Sequence, residues 1–260
     1  APPVTTAPPV TTAPPVTTDP SDVTPPSLNE PPTDILLDRD GVPENSEAGT
    51  VIGTFTTEDL DVDDSHEYRL IDNADGRFAL DQKNNQLVVG EGANLDFEKQ
   101  ESFDVRVRTF DSAAEIFTKS FTISLTNVND PPEIIVAEEQ QPVNEGEQLE
   151  IVGIEVTDPD VGEEEVEVTL ETTNSITSQS NLTLDSNSSI TFTTGDGEAD
   201  SRMVFKGTLE NINESIKTLT YTGKKSGIDS ISITVNDQGN IGKGDAQTDT
   251  ALIDITINDF

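Results

Sequence analysis

Cysteine and tryptophan are absent from this 260-residue chain, and histidine occurs once. Without cysteine there can be no disulfide framework, thiolate metal site or cysteine nucleophile. His66 has no second histidine or cysteine to join it, which excludes a zinc site and a nucleophile relay, and it reads as a polar residue at a strand edge beside an acidic loop. Basic residues are scarce: 14 Lys and Arg stand against 51 Asp and Glu, a formal net charge of −37. Such a chain repels phosphate backbones and anionic lipid headgroups, so neither nucleic acid nor a membrane surface is an expected partner. No apolar run approaches the roughly 20 residues of a membrane span, and the N-terminus lacks the basic and apolar regions of a signal peptide. Membrane insertion is not expected, and the chain should be a soluble internal excerpt of something longer. Carboxylate pairs of the kind that hydrolyse glycosides can be drawn anywhere in so acidic a sequence and carry no weight. With most phenylalanines on alternating core positions, there is no evident aromatic platform for a sugar. The chain is not read as an enzyme.

Three copies of APPVTT fill residues 1–18. Paired prolines fix φ and remove donors, so residues 1–28 are expected to form an extended, disordered Pro/Thr-rich stalk. From Asn29 the texture changes to short apolar runs bounded by Gly, Asn and Asp: Ile35 to Leu37, Val51 to Thr56, Glu67 to Ile71, Phe78 to Leu80 and Gln86 to Val89. In two longer runs, Phe103, Val105 and Val107 alternate with polar residues, and Phe117, Phe121, Ile123 and Leu125 share one parity. Seven strands in about a hundred residues predict a Greek-key sandwich over 29–132. A second unit, 133–260, repeats the plan. Leu149, Ile151, Ile154 and Val156 predict one strand bulged near Gly153, and Val166, Val168 and Leu170 another. Further strands are expected at Ile190 to Thr193, Met203 to Gly207, Ser230 to Val235 and Ala251 to Ile257. Leu209, Ile212, Ile216 and Leu219 step by three and four, which predicts one packed helix over 209–218. The expected fold is all-β, two tandem Ig-like sandwiches in series.

Each unit carries two aspartates two residues apart where a strand runs into a loop: Asp59 and Asp61, then Asp158 and Asp160. Such a pair can aim both carboxylates at one cation, and calcium takes six to eight oxygens at about 2.3–2.6 Å. A pair alone is too few ligands, and Asp-rich loops are common solvated turns. The first unit adds Pro43-Glu44-Asn45, Leu95-Asp96-Phe97-Glu98 and Asn127-Val128-Asn129-Asp130-Pro131. In that order these segments resemble the PE, LDRE and DxNDN calcium motifs of cadherin repeats, in the bacterial cadherin-like form of large surface adhesins. Residues 133–260 resemble another repeat of those adhesins through VNEGEQL, VTDPD, FTTGDGEAD, LENINESI and VNDQGN.

The resemblance implies a calcium site shared across the junction. Glu44, Asp96 and Glu98 would hold it from the first unit. The linker would add Asp130, the Asn129 side chain and the carbonyls of Val128 and Pro131, while Asp158, Asp160 and Asp237 would come from the second unit. Asn127 and Pro131 replace family residues without removing a ligand, and Phe97 in place of Arg removes a cation. A weaker site, of at most one ion, is expected at the far end of the first unit from Asn29, Pro31, Asp59, Asp61 and Asp111, with Glu30 in the place of Asp130. The second unit has Glu145 in the place of Glu44 but no LDRE. Asp196, Glu198 and Asp200 either substitute for it or belong to a Gly-rich hairpin turn, the reading favoured here. Two carboxylates about 5 Å apart repel by roughly 3 kcal/mol at an effective dielectric of 20, so a metal-free junction should splay and flex, and calcium should stiffen it. What the resemblance implies is an extracellular or cell-surface location, with calcium and neighbouring repeats of the same chain as partners. The function expected is that of an adhesin spacer. The alternative is a calcium-dependent module that binds polysaccharide, another cell-surface protein or a second copy of itself.

Overall fold

The computed structural model describes residues 28–137, 142–173, 180–186, 188–239 and 241–259. The APPVTT repeats, and the stalk expected of them up to residue 27, lie outside the described residues, as does Asn240 of VNDQGN.

Eight strands follow one another from Asp34 to Thr126: β1 Asp34–Leu37, β2 Gly41–Pro43, β3 Val51–Glu58, β4 Glu67–Asp72, β5 Phe78–Asp81, β6 Gln86–Val89, β7 Ser102–Phe110 and β8 Ile116–Thr126. They form two four-stranded sheets, ordered β1-β3-β6-β5 and β2-β8-β7-β4. Alternation along β7 sends Phe103, Val105 and Val107 inward, where they meet Phe55, Leu87 and Ile123 from the other strands. Each such fully buried apolar side chain contributes about 1.5–3 kcal/mol, enough to fix register, because a one-residue slip would turn the whole set to solvent. Seven strands were expected here. The eighth, β2, is three residues long and pairs in parallel with the end of β8, Val42 opposite Leu125. So short an element has no period of its own, yet it delivers Pro43, Glu44 and Asn45 to the end of the sandwich where β8 runs out.

Beyond the linker come β9 Glu133–Val136, β10 Val143–Asn144, β11 Gln148–Glu150, β12 Ile154–Thr157, β13 Glu165–Thr172, β14 Asn181–Leu184, β15 Thr191–Thr194 and β16 Arg202–Thr208. The helix α1, Leu209–Ile216, precedes β17 Leu219–Thr222, β18 Gly227–Asn236 and β19 Thr248–Asn258. A six-stranded sheet, β10-β19-β18-β13-β16-β15, faces the smaller sheets β11-β17-β14 and β12-β9 across a second core that includes Val168, Phe205, Tyr221 and Ile233. The strand expected to bulge near Gly153 is in fact two. Residues 148–150 pair with β17 and residues 154–157 with β9. Between them Gly153 takes φ of 75°, and a Cβ there would lie 2.6 Å from that of Ala137, so the chain changes sheets where only glycine fits. The turn over residues 195–200 joins the antiparallel pair β15 and β16, and Asp200 accepts the Asp196 and Gly197 amides within it, as a hairpin turn requires.

The helix begins where Thr208 caps it by accepting the Asn211 amide, and it buries Ile212 and Ile216. It stops two residues short of the expected end, because Leu219 turns away to start β17. Asn213 is its joint to the sandwich, accepting the Val156 amide at 2.8 Å and donating to the Val156 carbonyl at 2.8 Å. Those contacts satisfy the outer edge of β12, a strand paired on its other side with β9.

Tyr221 anchors the smaller sheet through its hydroxyl, which donates to Asp229 Oδ2 at 2.6 Å and accepts from Ser180 Oγ at 2.9 Å. Burial pushes the phenol well above its ordinary value, and Asp229 beside it acts in the same direction, so the hydroxyl keeps its proton and donates. Tyr221→Phe takes a donor from the buried Asp229 carboxylate and should lower the stability of the second unit by about 1–3 kcal/mol. Urea unfolding followed by NMR of core methyls should show the loss in β17 and β18 while the first-unit transition stays in place.

Candidate metal centre

Three loops of the first unit converge at its junction end. Glu44 follows β2 and is 2% exposed. Its Oε2 accepts the Phe97 amide at 2.6 Å and its Oε1 the Val128 amide at 2.8 Å, which ties the β6–β7 loop and the linker to one carboxylate. Asp96 caps a single turn, its Oδ1 accepting the Lys99 amide at 2.9 Å. Glu44, Asp96 and Glu98 each offer an oxygen within 4.8 Å of the others. Asn127 donates to Glu98 Oε1 at 2.8 Å, and Asn45 donates to Asp130 Oδ1 at 2.7 Å.

The second unit meets this end with its own loops. Asp158 Oδ1 accepts the Asp160 and Val161 amides at 2.9 and 3.1 Å, the turn that a D-x-D spacing favours. Asp160 Oδ2 accepts the Asp130 amide at 2.5 Å, and Asp237 Oδ2 accepts from Asn129 Nδ2 at 2.7 Å. Val128 sits in a parallel bridge opposite Lys243, so its carbonyl faces the same side as its amide, toward Glu44. Pro131 is exposed next to Asp130. Glu44, Glu98, Val128, Asn129, Asp130, Asp158, Asp160 and Asp237 are thus connected through one hydrogen-bonded and electrostatic network, with Asp96 beside Glu44.

The charge of this network is poorly compensated. Burial together with the charges of Glu44 and Asp160 pushes Glu98 up to about 7. Burial raises Asp130, reinforced by Glu44 and Asp160, and burial raises Asp158, reinforced by Asp237 and Asp160. Asp158 Oδ2, Asp160 Oδ1 and Asn127 Oδ1 are buried and meet no hydrogen-bond donor among the described residues. A buried carboxylate oxygen left without donor or cation costs several kcal/mol, and all of these atoms are hard oxygens, the donor set of a divalent cation such as calcium. The residues present fit such an ion.

One cation of the chain already lies there. Lys99 Nζ is 2.6 Å from Asp96 Oδ2 and holds that carboxyl below the usual range. The loss expected from Phe97 standing in place of Arg is therefore made good two residues later, and Lys99 is a residue the motif comparison passed over. Asn45 and Asn127 stand within the motifs named above, but that they bind the ligand carboxylates is visible only in the structure.

The far end of the first unit repeats the arrangement. Asp61 donates its amide to Asp59 Oδ1 at 3.0 Å, Glu30 donates its amide to Asp61 Oδ2 at 2.7 Å, and Asn29 donates to Asp111 Oδ2 at 2.9 Å. These contacts match those of Asp160 to Asp158, Asp130 to Asp160 and Asn129 to Asp237. Pro31 is exposed beside them. The oxygens that approach within 4.8 Å, however, belong to Asp59, Asp64 and Asp111. Asp64 was not anticipated, although it stands in the acidic run that holds Asp61. Its Oδ2 is buried and meets no donor among the described residues. His66 Nε2 lies 3.0 Å from Asp59 Oδ2, and with the Asp61 amide as the larger cause it keeps Asp59 below its ordinary value. Burial alone would raise Asp111, but Asn29 and the Glu115 and Ala113 amides hold it lower.

No family model matches the chain. It is similar to protocadherin beta-1 of Homo sapiens, 29% identical over 116 residues that make up 42% of this chain and 14% of that protein. Among solved structures it resembles human protocadherin-24 EC1-2, with 18% identity, a TM-score of 0.45, and coverage of 90% of this chain and 100% of that one. It also resembles protocadherin gamma B2 extracellular cadherin domains 3-6, with 19% identity, a TM-score of 0.43, and coverage of 88% of this chain and 47% of that one. The chain therefore spans a small part of the curated relative and about half of the longer structure.

In metal-free buffer, carbon-detected NMR should place the Glu98 titration at about 7, well above the 4.5 of an ordinary glutamate. Because the folded value is raised, the folded junction holds the proton longer than the unfolded chain. Its contribution to stability is fully present below the unfolded value and is lost as pH rises through the folded one. Asp160→Asn should lower Glu98 only in part, since burial and Glu44 still raise it; a Glu98 that titrates at 4.5 in both chains would show that it is neither buried nor faced by Glu44 and Asp160 in solution.

Proposed function

We propose that this chain is a calcium-binding pair of extracellular, cadherin-like repeats from a bacterial cell-surface or secreted adhesin, with calcium setting the angle between the repeats. The observation that carries the reading is the pair of buried, donorless oxygens on Asp158 and Asp160, with Asp160 beside Glu98 of the other unit. The protocadherin likenesses point the same way. In this reading the repeats run over 29–132 and 133–260, follow a Pro/Thr-rich stalk of residues 1–28, and carry out no catalysis.

Bound at the junction, calcium would supply the positive charge that the carboxylates lack. Glu44, Asp96, Glu98, Asp130, Asp158, Asp160 and Asp237 would hold it, with the carbonyls of Val128 and Pro131. Asn129 commits its Nδ2 to Asp237 and to the Asp245 carbonyl, which leaves its Oδ1 for a cation. The far-end site, of at most one ion, draws on Asn29, Pro31, Asp59, Asp61 and Asp111, and Asp64 joins that set. The work done is mechanical: carboxylates from both units, drawn to common ions, resist bending and hold a ligand-binding region elsewhere in the protein away from the surface.

Calorimetric titration should give binding in the range of roughly 10⁻⁴–10⁻³ M that extracellular calcium modules use, and X-ray scattering should report a longer, stiffer particle in calcium than in EDTA. Asp130→Ala should leave both sandwiches folded, weaken junction binding by about tenfold and remove most of the stiffening. Identical scattering in calcium and EDTA would sink the spacer reading, and calcium-dependent binding to a glycan array or self-association in sedimentation would replace it with a binding module.

Lys99 offers a second handle. Its ammonium competes for Asp96, so Lys99→Met should tighten calcium binding by about two- to fivefold, the worth of an exposed ion pair. Weaker binding in that variant would mean that Lys99 positions Asp96 for the ion instead of competing with it.

A further inference from the structure

The linker is held by two kinds of contact, and they differ between its two sides. Toward the second unit, besides the Asp130 amide on Asp160 and the Asn129 side chain on Asp237, the linker makes contacts that need no carboxylate. Lys243 donates its amide to the Asn127 carbonyl at 3.0 Å, and Asn129 donates its amide to the Lys243 carbonyl at 3.2 Å, closing the parallel bridge at Val128. Gln247 Nε2 donates to the Asn129 carbonyl, and Asn129 Nδ2 donates to the Asp245 carbonyl at 3.2 Å. Toward the first unit, past Thr126 at the end of β8, every one of the linker's hydrogen bonds described above has a carboxylate acceptor: Val128 to Glu44, Asn127 to Glu98, and Asn45 to Asp130.

Neutral main-chain hydrogen bonds keep their strength whatever happens to neighbouring charge. Contacts that gather carboxylates keep theirs only while that charge is compensated. We infer that residues 127–130 belong mechanically to the second unit: without metal they stay clasped to the loop over 241–247, and the junction bends at its first-unit end, between Thr126 and Val128. Gly242 is what admits the clasp. Its φ is 85°, and a Cβ on it would stand 2.3 Å from Asn127 Oδ1 and 2.5 Å from the Asn129 nitrogen, so any other residue pushes the linker off the loop. This differs from a junction that splays freely along the whole linker once calcium is withdrawn.

Amide exchange and residual dipolar couplings, measured by NMR on the whole chain in EDTA, test the inference. The Asn129 and Lys243 amides should exchange about tenfold or more slowly than that of Val128, and the couplings of residues 129 and 130 should fit the alignment of the second unit and not of the first. Gly242→Ala should raise exchange at Asn129 and Lys243 to the Val128 rate while β18 and β19 keep their protection. Should that variant unfold the second unit, Gln247→Ala, which deletes a donor without touching the turn, should still speed exchange at Asn129. Exchange at Asn129 and Lys243 as fast as at Val128 in the unaltered chain, or couplings that fit the first unit, would overturn the inference. None of these readings needs calcium to bind, so a chain that binds no ion yet keeps this protection would overturn the calcium proposal alone.

Discussion

Everything at the junction depends on a shortage of donors for carboxylates. Glu44, Asp158 and Asp237 accept amides from the loops of their own units, and the linker spends the amides of Val128 and Asp130 on Glu44 and Asp160. Asp158 Oδ2 and Asp160 Oδ1 still meet no donor among the described residues. An apolar contact in the same place would be indifferent to solution conditions. A site that buries negative charge without matching it is sensitive to whatever positive charge is available, and at the junction end of the first unit Lys99 supplies that charge to Asp96.

The two ends of the first unit and the near end of the second show how little sequence is needed to build such a tip. A D-x-D turn folds on itself because the first carboxylate accepts the amide two residues on, as Asp59 does for Asp61 and Asp158 for Asp160. An asparagine one strand away then reaches the aspartate after the penultimate strand, Asn29 to Asp111 and Asn129 to Asp237. Differences enter through the neighbours. At the first tip His66 leans on Asp59 and Asp64 approaches Asp111, whereas at the second the partners are Glu98 and Asp130 from outside the unit.

Alternation and helical stepping revealed the longer elements, since β7, β8, β13, β18, β19 and α1 each bury enough side chains to need a period. The elements that escaped notice are short. β2 and β10 run for two or three residues, too few to alternate, and β9, β14 and β17 run for four, which a loop could equally contain, while β11 runs together with β12 as one expected strand. Gly153 misled because a glycine within an apolar run signals both a bulge and a change of sheet, and its closeness to Ala137, a tertiary fact, decides between them. At the site, motif spacing brought the acidic residues into view. That Asn45, Asn127 and Lys99 hold them was not legible, because asparagine and lysine beside an acidic loop are ordinary surface choices.

Asn127 to Pro131 first reads as a Pro-bearing connector, where relative motion of two domains is the default. Its pairing with Lys243 removes that default on one side only. In the hinge proposed above, a main-chain bridge determines which unit the linker travels with, and carboxylates determine when the other unit is held against it. The glycine that permits the bridge lies over a hundred residues from the linker, in a loop with no acidic pair of its own to mark it. The hinge is therefore written in two parts of the sequence: a motif rich in oxygen that announces itself, and a Gly-Lys-Gly turn, residues 242–244, whose purpose is visible only once the chain has folded back onto its own linker.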